Sequence, residues 1–582
     1  MAFDLVIRGA NVVDGTGAAA KTADIGIAGG VIREIGRIAA HGAREIDADG
    51  AIVTPGFIDV HTHYDGQVSW DGEMLPSAAH GVTTAIMGNC GVGFAPCRKE
   101  DRDRLVDLME GVEDIPGTAL HEGIRWGWET IPEYLDAVAA APRTVDIGVQ
   151  VPHNAVRLFV MGERALRREA ATEEDIAAMA RIVVDGIAAG AVGFTTANTI
   201  GHRDAKGNPT YARHVAAEEL YAIGEAMGAA GRGVIQLFND FYRENLDDFP
   251  EVLELARRSK RPLSFTLEQD DWWPEGFWQG LLKACAGVNA AGFEMRAQVA
   301  PRPLGSIQTL AGTIHPFVTR PTYMAMAHLP LAERVARLLD PAVRAQLLAE
   351  PDTPLSQFVM SVTPRAEEWS ADAVAMLKRM FPLGDDVDYE PVPERSIWAL
   401  AQAQGRDPQD VLLDHLLEND GYGLIYVPIM NYGGGDFSAI HAMLSDPNAM
   451  MGLSDGGAHV GFSSDGSFPT YLLSHWARDR TRGPRIPLER AVALQTGIPA
   501  QHFGLDDRGV VAVGRKADLN VIDFAALGLE KPEIHADLPA GGIRFLQGAR
   551  GYIETLLAGE TVSAGGALTG ARPGRLIRKT RG

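Results

Sequence analysis

Residues Phe57–Gly66 read FIDVHTHYDG. Two histidines, His61 and His63, stand two apart at the end of an apolar run, with Asp59 and Asp65 on either side. On a β-strand, residues i and i+2 point to one face. Both imidazoles can therefore meet a single partner, and neutral imidazole is a good ligand for zinc and similar ions. The plainer reading is a pair of polar side chains leaving a strand for solvent. The two readings separate on what else arrives at the same place.

That depends on the elements around the pair. Eight apolar, β-branched runs are candidate strands, at 57–63, 82–89, 145–152, 191–197, 233–238, 262–267, 295–300 and 450–454. Helical patterns such as EEDIAAMARIVVDGIAAG and VAAEELYAIGEAMGAAG lie between several of them. Repeated βα units imply a parallel sheet, and eight of them imply a (β/α)8, TIM-like barrel. An open doubly wound sheet is the weaker alternative, because no GxGxxG opens any unit. Both chain ends are instead rich in short strands and Gly/Asp turns, which predicts a small β-sandwich domain built from 1–55 plus 500–582. The barrel would span 56–499, with insertions at about 91–144 and 304–449. The basic end, RPGRLIRKTRG, reads as a solvated tail.

In such a barrel the reaction site lies at the C-terminal strand ends, and those ends are polar here. The second run closes on Asn89 and Cys90, the third on His153 and Asn154, and the fourth near Asn198, with His202 beyond. The fifth closes on Asp240, the sixth on Glu268, the seventh near Arg302 and the eighth on Ser454, Asp455 and His459. This clustering favours the metal reading of His61 and His63.

Bulk composition narrows the partners. A net charge of −23 over 582 residues argues against nucleic acid, which needs clustered Lys and Arg. Three cysteines make no disulfide framework and fit a reducing, cytoplasmic setting. No basic leader precedes an apolar stretch at the start and no long apolar run follows, so neither a signal peptide nor membrane insertion is expected. The expected partner is a small-molecule amide, with the chain in a homo-oligomer.

PGFIDVHTHYD resembles the first-strand signature of the amidohydrolase superfamily. GVTTAIMGNCG is similar to the segment carrying a metal-binding cysteine in the N-acyl-D-amino-acid deacylases, the D-aminoacylase branch. LSDGGAH resembles the strand-eight segment with the catalytic aspartate, and LDDRGVVAVGRKADLNVID the C-terminal β-domain. The resemblance implies that His61 and His63 bind a divalent metal, zinc by default. Cys90 would be a thiolate ligand, and Asp455 both a ligand and the general base, then acid.

The chain also departs from that pattern. Strands five and six read GVIQLFND and PLSFTLEQ, without the branch's metal-binding histidines. One zinc ion held by His61, His63 and Asp455, with Cys90, is the economical reading, and two ions the alternative. Glu268 and Asp240 are substitute carboxylate ligands. No basic residue stands where those deacylases bind the substrate carboxylate, which leaves Arg302, Arg203 or Arg157. His153 is the remaining candidate to polarise a carbonyl, or else a histidine bonded within a loop. Asn198, Arg302, Trp272 and Trp273 are expected in the substrate pocket; the tryptophans, in DDWWPEGFWQG, would favour a hydrophobic acyl group. The expected function is metal-dependent hydrolysis of a linear amide, an N-acyl-D-amino acid or a related N-acyl amide. Cyclic-amide or other C–N hydrolysis is a second reading, and a non-catalytic binding protein on a hydrolase scaffold a third.

Overall fold

The computed structural model describes residues 2–243, 246–247, 249–271, 273–353 and 373–578. Eight parallel strands form one sheet in chain order. They are β1 (Phe57–Thr62), β2 (Val82–Met87), β3 (Asp146–Pro152), β4 (Gly193–Asn198), β5 (Val234–Asn239), β6 (Leu263–Thr266), β7 (Met295–Val299) and β8 (Ala449–Met451). All eight expected strands are present. They read as apolar runs because both faces are covered: every residue of β1, β2 and β3 is buried. Just past β8 the two edges meet. The Asp455 N–H donates to the His61 carbonyl at 3.1 Å, and the His63 N–H to the Gly456 carbonyl at 2.9 Å. These bonds close the sheet into a (β/α)8 barrel. The helical patterns read from sequence form helices Glu173–Ala189 and Ala217–Ala230. The first opens on a capping box between Thr172 and Asp175.

Both long connections carry helices among the described residues. The first contains helix α1 (Arg102–Glu113), followed by helices Gly117–Gly123 and Ile131–Ala140. The second holds a three-stranded sheet with the helices around it, and has its own apolar cluster centred on Leu310, Phe317, Leu338 and Leu413. Among the described residues no helix is long and apolar enough to cross a membrane.

The chain ends build a second, nine-stranded sheet. Phe3–Val12 and Ile52–Pro55 from the N-terminal part lie beside Leu519–Ile522 and Tyr552–Leu557 from the C-terminal part. The C-terminal share of this sheet is smaller than 500–582. Helix Gly497–Phe503 packs Ala500 and Phe503 with Ile58 and Val60 of β1, so it belongs to the barrel. The hairpin of Glu533–His535 and Arg544–Leu546 leaves the sheet altogether. It reaches the barrel mouth, where the Phe545 N–H donates to the Val460 carbonyl at 2.7 Å.

Nor is the basic terminus solvated as far as it is described. The Ile147 N–H donates to Arg575 O at 2.9 Å and Ile577 N–H returns to Ile147 O at 2.8 Å, laying the tail along β3. Asp146, the first residue of β3, gathers these parts. It accepts from Arg508 Nη1 at 2.6 Å, from the Arg575 N–H at 2.8 Å and from Lys516. Arg508 and Lys516 together balance the buried Asp146 and Asp518, so removing Arg508 leaves two buried carboxylates to one cation. Arg508→Met should destabilise the protein by about 3–5 kcal/mol, read as a lower urea midpoint than the wild type shows.

Candidate metal centre and active site

β1 delivers His61 and His63 to the barrel mouth, where both side chains are fully buried. The closure past β8 brings Asp455 against them. Its Oδ1 lies 3.4 Å from His61 Nε2 and 3.5 Å from His63 Nε2. Cys90 enters from the turn after β2, with Sγ 3.4 Å from His61 Nε2. Ligand atoms of His61, His63 and Cys90 all lie within 4.8 Å of one another. The turn itself requires Gly88: its φ is +88°, and a Cβ there would sit 2.5 Å from the Gln150 carbonyl. Cys90 and Asp455 adopt left-handed backbone angles too, φ 54° and 47°. Non-glycine residues in that region cost of order 1–3 kcal/mol and gather at functional sites.

Burial sets the protonation of these groups. It pushes the His61 imidazole down to about 4 and lowers His63 as well, so both rings are neutral at neutral pH. For Asp455, burial opposes the charge. The close approach of His63 and the fields of His61 and His459 outweigh it and hold the carboxylate well below its usual range. Burial raises the Cys90 thiol, and Glu113, Asp455 and Glu268 raise it further. A thiolate at that position needs a positive partner. Neither ring nitrogen of His63 has a hydrogen-bond partner, an arrangement that costs about 1–3 kcal/mol per buried group when nothing fills it.

Two further residues complete the cluster. Glu113, the last residue of α1, is buried with Oε1 3.3 Å from His63 Nδ1 and Oε2 3.8 Å from His459 Nε2. His459 Nε2 in turn lies 4.0 Å from Asp455 Oδ2. Neither was expected as a site residue. Glu113 carried a signal: it follows Leu105 and Met109 at intervals of four, a carboxylate on the apolar face of an amphipathic helix. His202, expected to be structural, stacks on Phe238 with ring centroids 4.9 Å apart. Burial, helped by the fields of His63 and His459, lowers its imidazole to about 3.

Other expected residues are placed elsewhere. His153 heads helix α2 (His153–Met161) and spends both ring nitrogens, on Thr196 Oγ1 and Glu219 Oε1, each at 2.8 Å. It is a structural histidine, with nothing left to polarise a carbonyl. Arg157 pairs with the same Glu219, and Arg203 donates to the Gly207 carbonyl at 2.9 Å. Asp240 accepts from Thr199 Oγ1 at 2.8 Å and Ile200 N at 2.9 Å, fixing the loop after β4, where Asn198 also lies. Glu268 is buried and near enough to act on the Cys90 thiol. Arg302 is buried over Tyr389, 3.8 Å from the ring centroid, and pairs with Asp465 at 2.7 Å. Trp273 is only 9% exposed and packs edge-on to Phe277 within the main core, so it forms no open wall. Trp272 lies outside the described residues. The flanking Asp59 and Asp65 are structural: Asp59 accepts from Ser454 Oγ at 2.5 Å and Asp65 from the Gly88 N–H at 3.1 Å.

A small cleft borders Asp455. Gln67, Val460, Ser463 and Asp465 line it, with Arg544 and Phe545 from the C-terminal hairpin.

Residues 44–563 match the amidohydrolase family. The chain belongs to that family. The D-aminoacylase of Alcaligenes xylosoxydans xylosoxydans is 26% identical to this amidohydrolase over 597 residues, covering 99% of the chain and 98% of the relative. The N-acyl-D-glutamate deacylase of the same organism is 27% identical over 534 residues, covering 90% and 87%. Among solved structures, the N-acyl-D-glutamate deacylase from Bordetella bronchiseptica, complexed with zinc and a phosphonate inhibitor, aligns over 100% of both chains. Its TM-score is 0.63 at 22% identity. A D-aminoacylase with a binuclear metal centre has a TM-score of 0.64 at 24% identity, covering 99% of this chain and 100% of that one. These two likenesses are of fold. As an amidohydrolase the protein is an enzyme acting on carbon–nitrogen amide bonds.

Cys90, Cys97 and Cys285 are all free and buried, and burial pushes each thiol up. The native metal-free protein should give no rapid reaction with Ellman's reagent at neutral pH, and the unfolded chain all three thiols. Absorbance of the released thiolate checks both.

Proposed function

We propose that this amidohydrolase cleaves linear N-acyl amides, with N-acyl-D-amino acids as the substrate class, using one zinc ion held by His61, His63, Asp455 and Cys90. The observation that carries the reading is the convergence of two neutral imidazoles, a thiol and a carboxylate on one buried point at the barrel mouth. The unpartnered Nε2 of His63, on the side of Asp455, fits the same group. Nitrogen and sulfur donors with a carboxylate suit zinc. A bound zinc ion would polarise the scissile carbonyl and make water a nucleophile at neutral pH.

The chain's own residues supply the proton traffic. Asp455 is anionic at neutral pH and faces the cleft. Its carboxylate takes a proton from the attacking water and hands it to the departing nitrogen. His459 and Glu113 flank Asp455 and hold its surroundings polar. The single-ion count is favoured by strands five and six. Gln236 on β5 and Ser264 on β6 are spent on hydrogen bonds inside the barrel, and no histidine stands on either strand. With Trp273 in the core, a hydrophobic acyl group loses its main support.

Asp455→Asn should lower kcat by about 10²–10⁴ on N-acyl-D-amino acids while KM changes little. Near-normal turnover would remove Asp455 from the proton transfer. His61→Ala and His63→Ala should each lose both metal and activity. Elemental analysis should give one zinc per wild-type chain; a second tightly held ion bridged through Cys90 would overturn that count and direct attention to Glu268.

A further inference from the structure

His61 Nδ1 sits between a hydrogen-bond donor and an acceptor. We propose that Gln236 and Gln298 are positioning residues, each holding one tautomer of His61, and that an ion on Nε2 selects the tautomer held by Gln298. The part concerning the ion rests on the metal reading above; the part concerning the metal-free ring does not.

The orientation of each amide follows from its neighbours. Asn89 Nδ2 donates to the carbonyls of Thr62 at 3.0 Å and Ile86 at 2.9 Å. Backbone carbonyls only accept, so Asn89 must present Oδ1 to the barrel interior. There it accepts from Gln150 Nε2 at 2.9 Å, and the same nitrogen donates to Gln236 Oε1 at 3.1 Å. Gln236 is thereby turned to offer its NH2 group, which lies 2.9 Å from His61 Nδ1. From the other side, Gln298 is turned by Gln236, whose Nε2 donates to Gln298 Oε1 at 3.4 Å; that oxygen lies 3.0 Å from the same Nδ1, and Gln298 Nε2 lies 3.0 Å from Ser264 Oγ. Every member of this layer is buried, so the directions are not averaged by water.

Two neutral forms of His61 are then served equally. With the proton on Nε2, Nδ1 accepts from Gln236 and the Nε2–H faces Asp455 Oδ1, 3.4 Å away. With the proton on Nδ1, the ring donates to Gln298, and the Nε2 lone pair faces the Cys90 and Asp455 donors. Gln236 keeps an acceptor in that form, Gln298 Oε1 at 3.4 Å. One proton moves from Nε2 to Nδ1, with no change in charge and no need for the ring to turn. Only the second form can hold an ion. Gln298 therefore supports metal binding, while Gln236 supports the competing tautomer, and affinity scales with the competent fraction.

The two glutamines must then have opposite effects. Zinc affinity, measured by chelator competition, should fall about 10–100-fold in Gln298→Leu. It should be unchanged or tighter in Gln236→Leu. Gln298→Glu, which keeps an acceptor, should restore affinity to within a few-fold of wild type. Nitrogen-15 spectra of histidine-labelled, metal-free protein should show a mixture of His61 tautomers in the wild type, shifted toward Nδ1–H in Gln236→Leu and toward Nε2–H in Gln298→Leu. Equal weakening by both leucine variants, or one unchanged tautomer in all three metal-free spectra, would overturn the proposal. A wild type that binds no zinc would refute the metal reading, and the metal-free spectra would still decide for or against the tautomer pair. Thermal midpoints of the metal-free variants separate these effects from loss of fold.

Discussion

Two backbone hydrogen bonds between the end of β1 and the segment after β8 govern the rest of the molecule. They join the first and last strands of the barrel, and so remove the sheet's free edges. They also fix the register in which Asp455 meets His61 and His63. A one-residue slip would turn the carboxylate to the opposite face. Ser454 secures the register from the side, donating within the barrel to Asp59 and lying 3.0 Å from the His61 carbonyl. The fold and the site are thus closed by the same contacts.

Low dielectric does most of the electrostatic work. Fully buried imidazoles stay neutral and keep a lone pair for a cation, while the carboxyl that faces both of them is held below its usual range. Glu113 feels the opposite balance. Burial raises its carboxyl, and repulsion from Asp455 and Asp65 raises it further. Two carboxyl groups that both face His459 therefore differ in their readiness to hold a proton.

The barrel was legible because its parts repeat and each carries a period. Apolar runs at βα spacing located all eight strands, and the HTH pair announced a shared face within one of them. The polar endings of the runs pointed to the right end of the barrel, but not to which endings converge. His153 and Asp240 follow strands as Cys90 does, yet their side chains are consumed by Glu219 and Thr199. Residues brought in by insertions were harder still. Glu113 comes from a helix whose docking no local pattern reveals, and Gln236 and Gln298 read as isolated polar interruptions of apolar strands. The C-terminal hairpin escaped notice because its strands look like the β-rich sequence around them. Only their partners, Val460 and the cleft beside Asp455, set them apart.

That hairpin borders the site from outside the barrel. It contributes Arg544 and Phe545 to the cleft wall but none of the groups clustered around His61. It hangs from a sheet on the far side of the sequence from β1, and its two strands pair with each other, not with the barrel. Through its bond to Val460, next to His459, and through Arg544 and Phe545 on the cleft wall, a change in its length would alter the surface beside Asp455 without removing any group that faces His61.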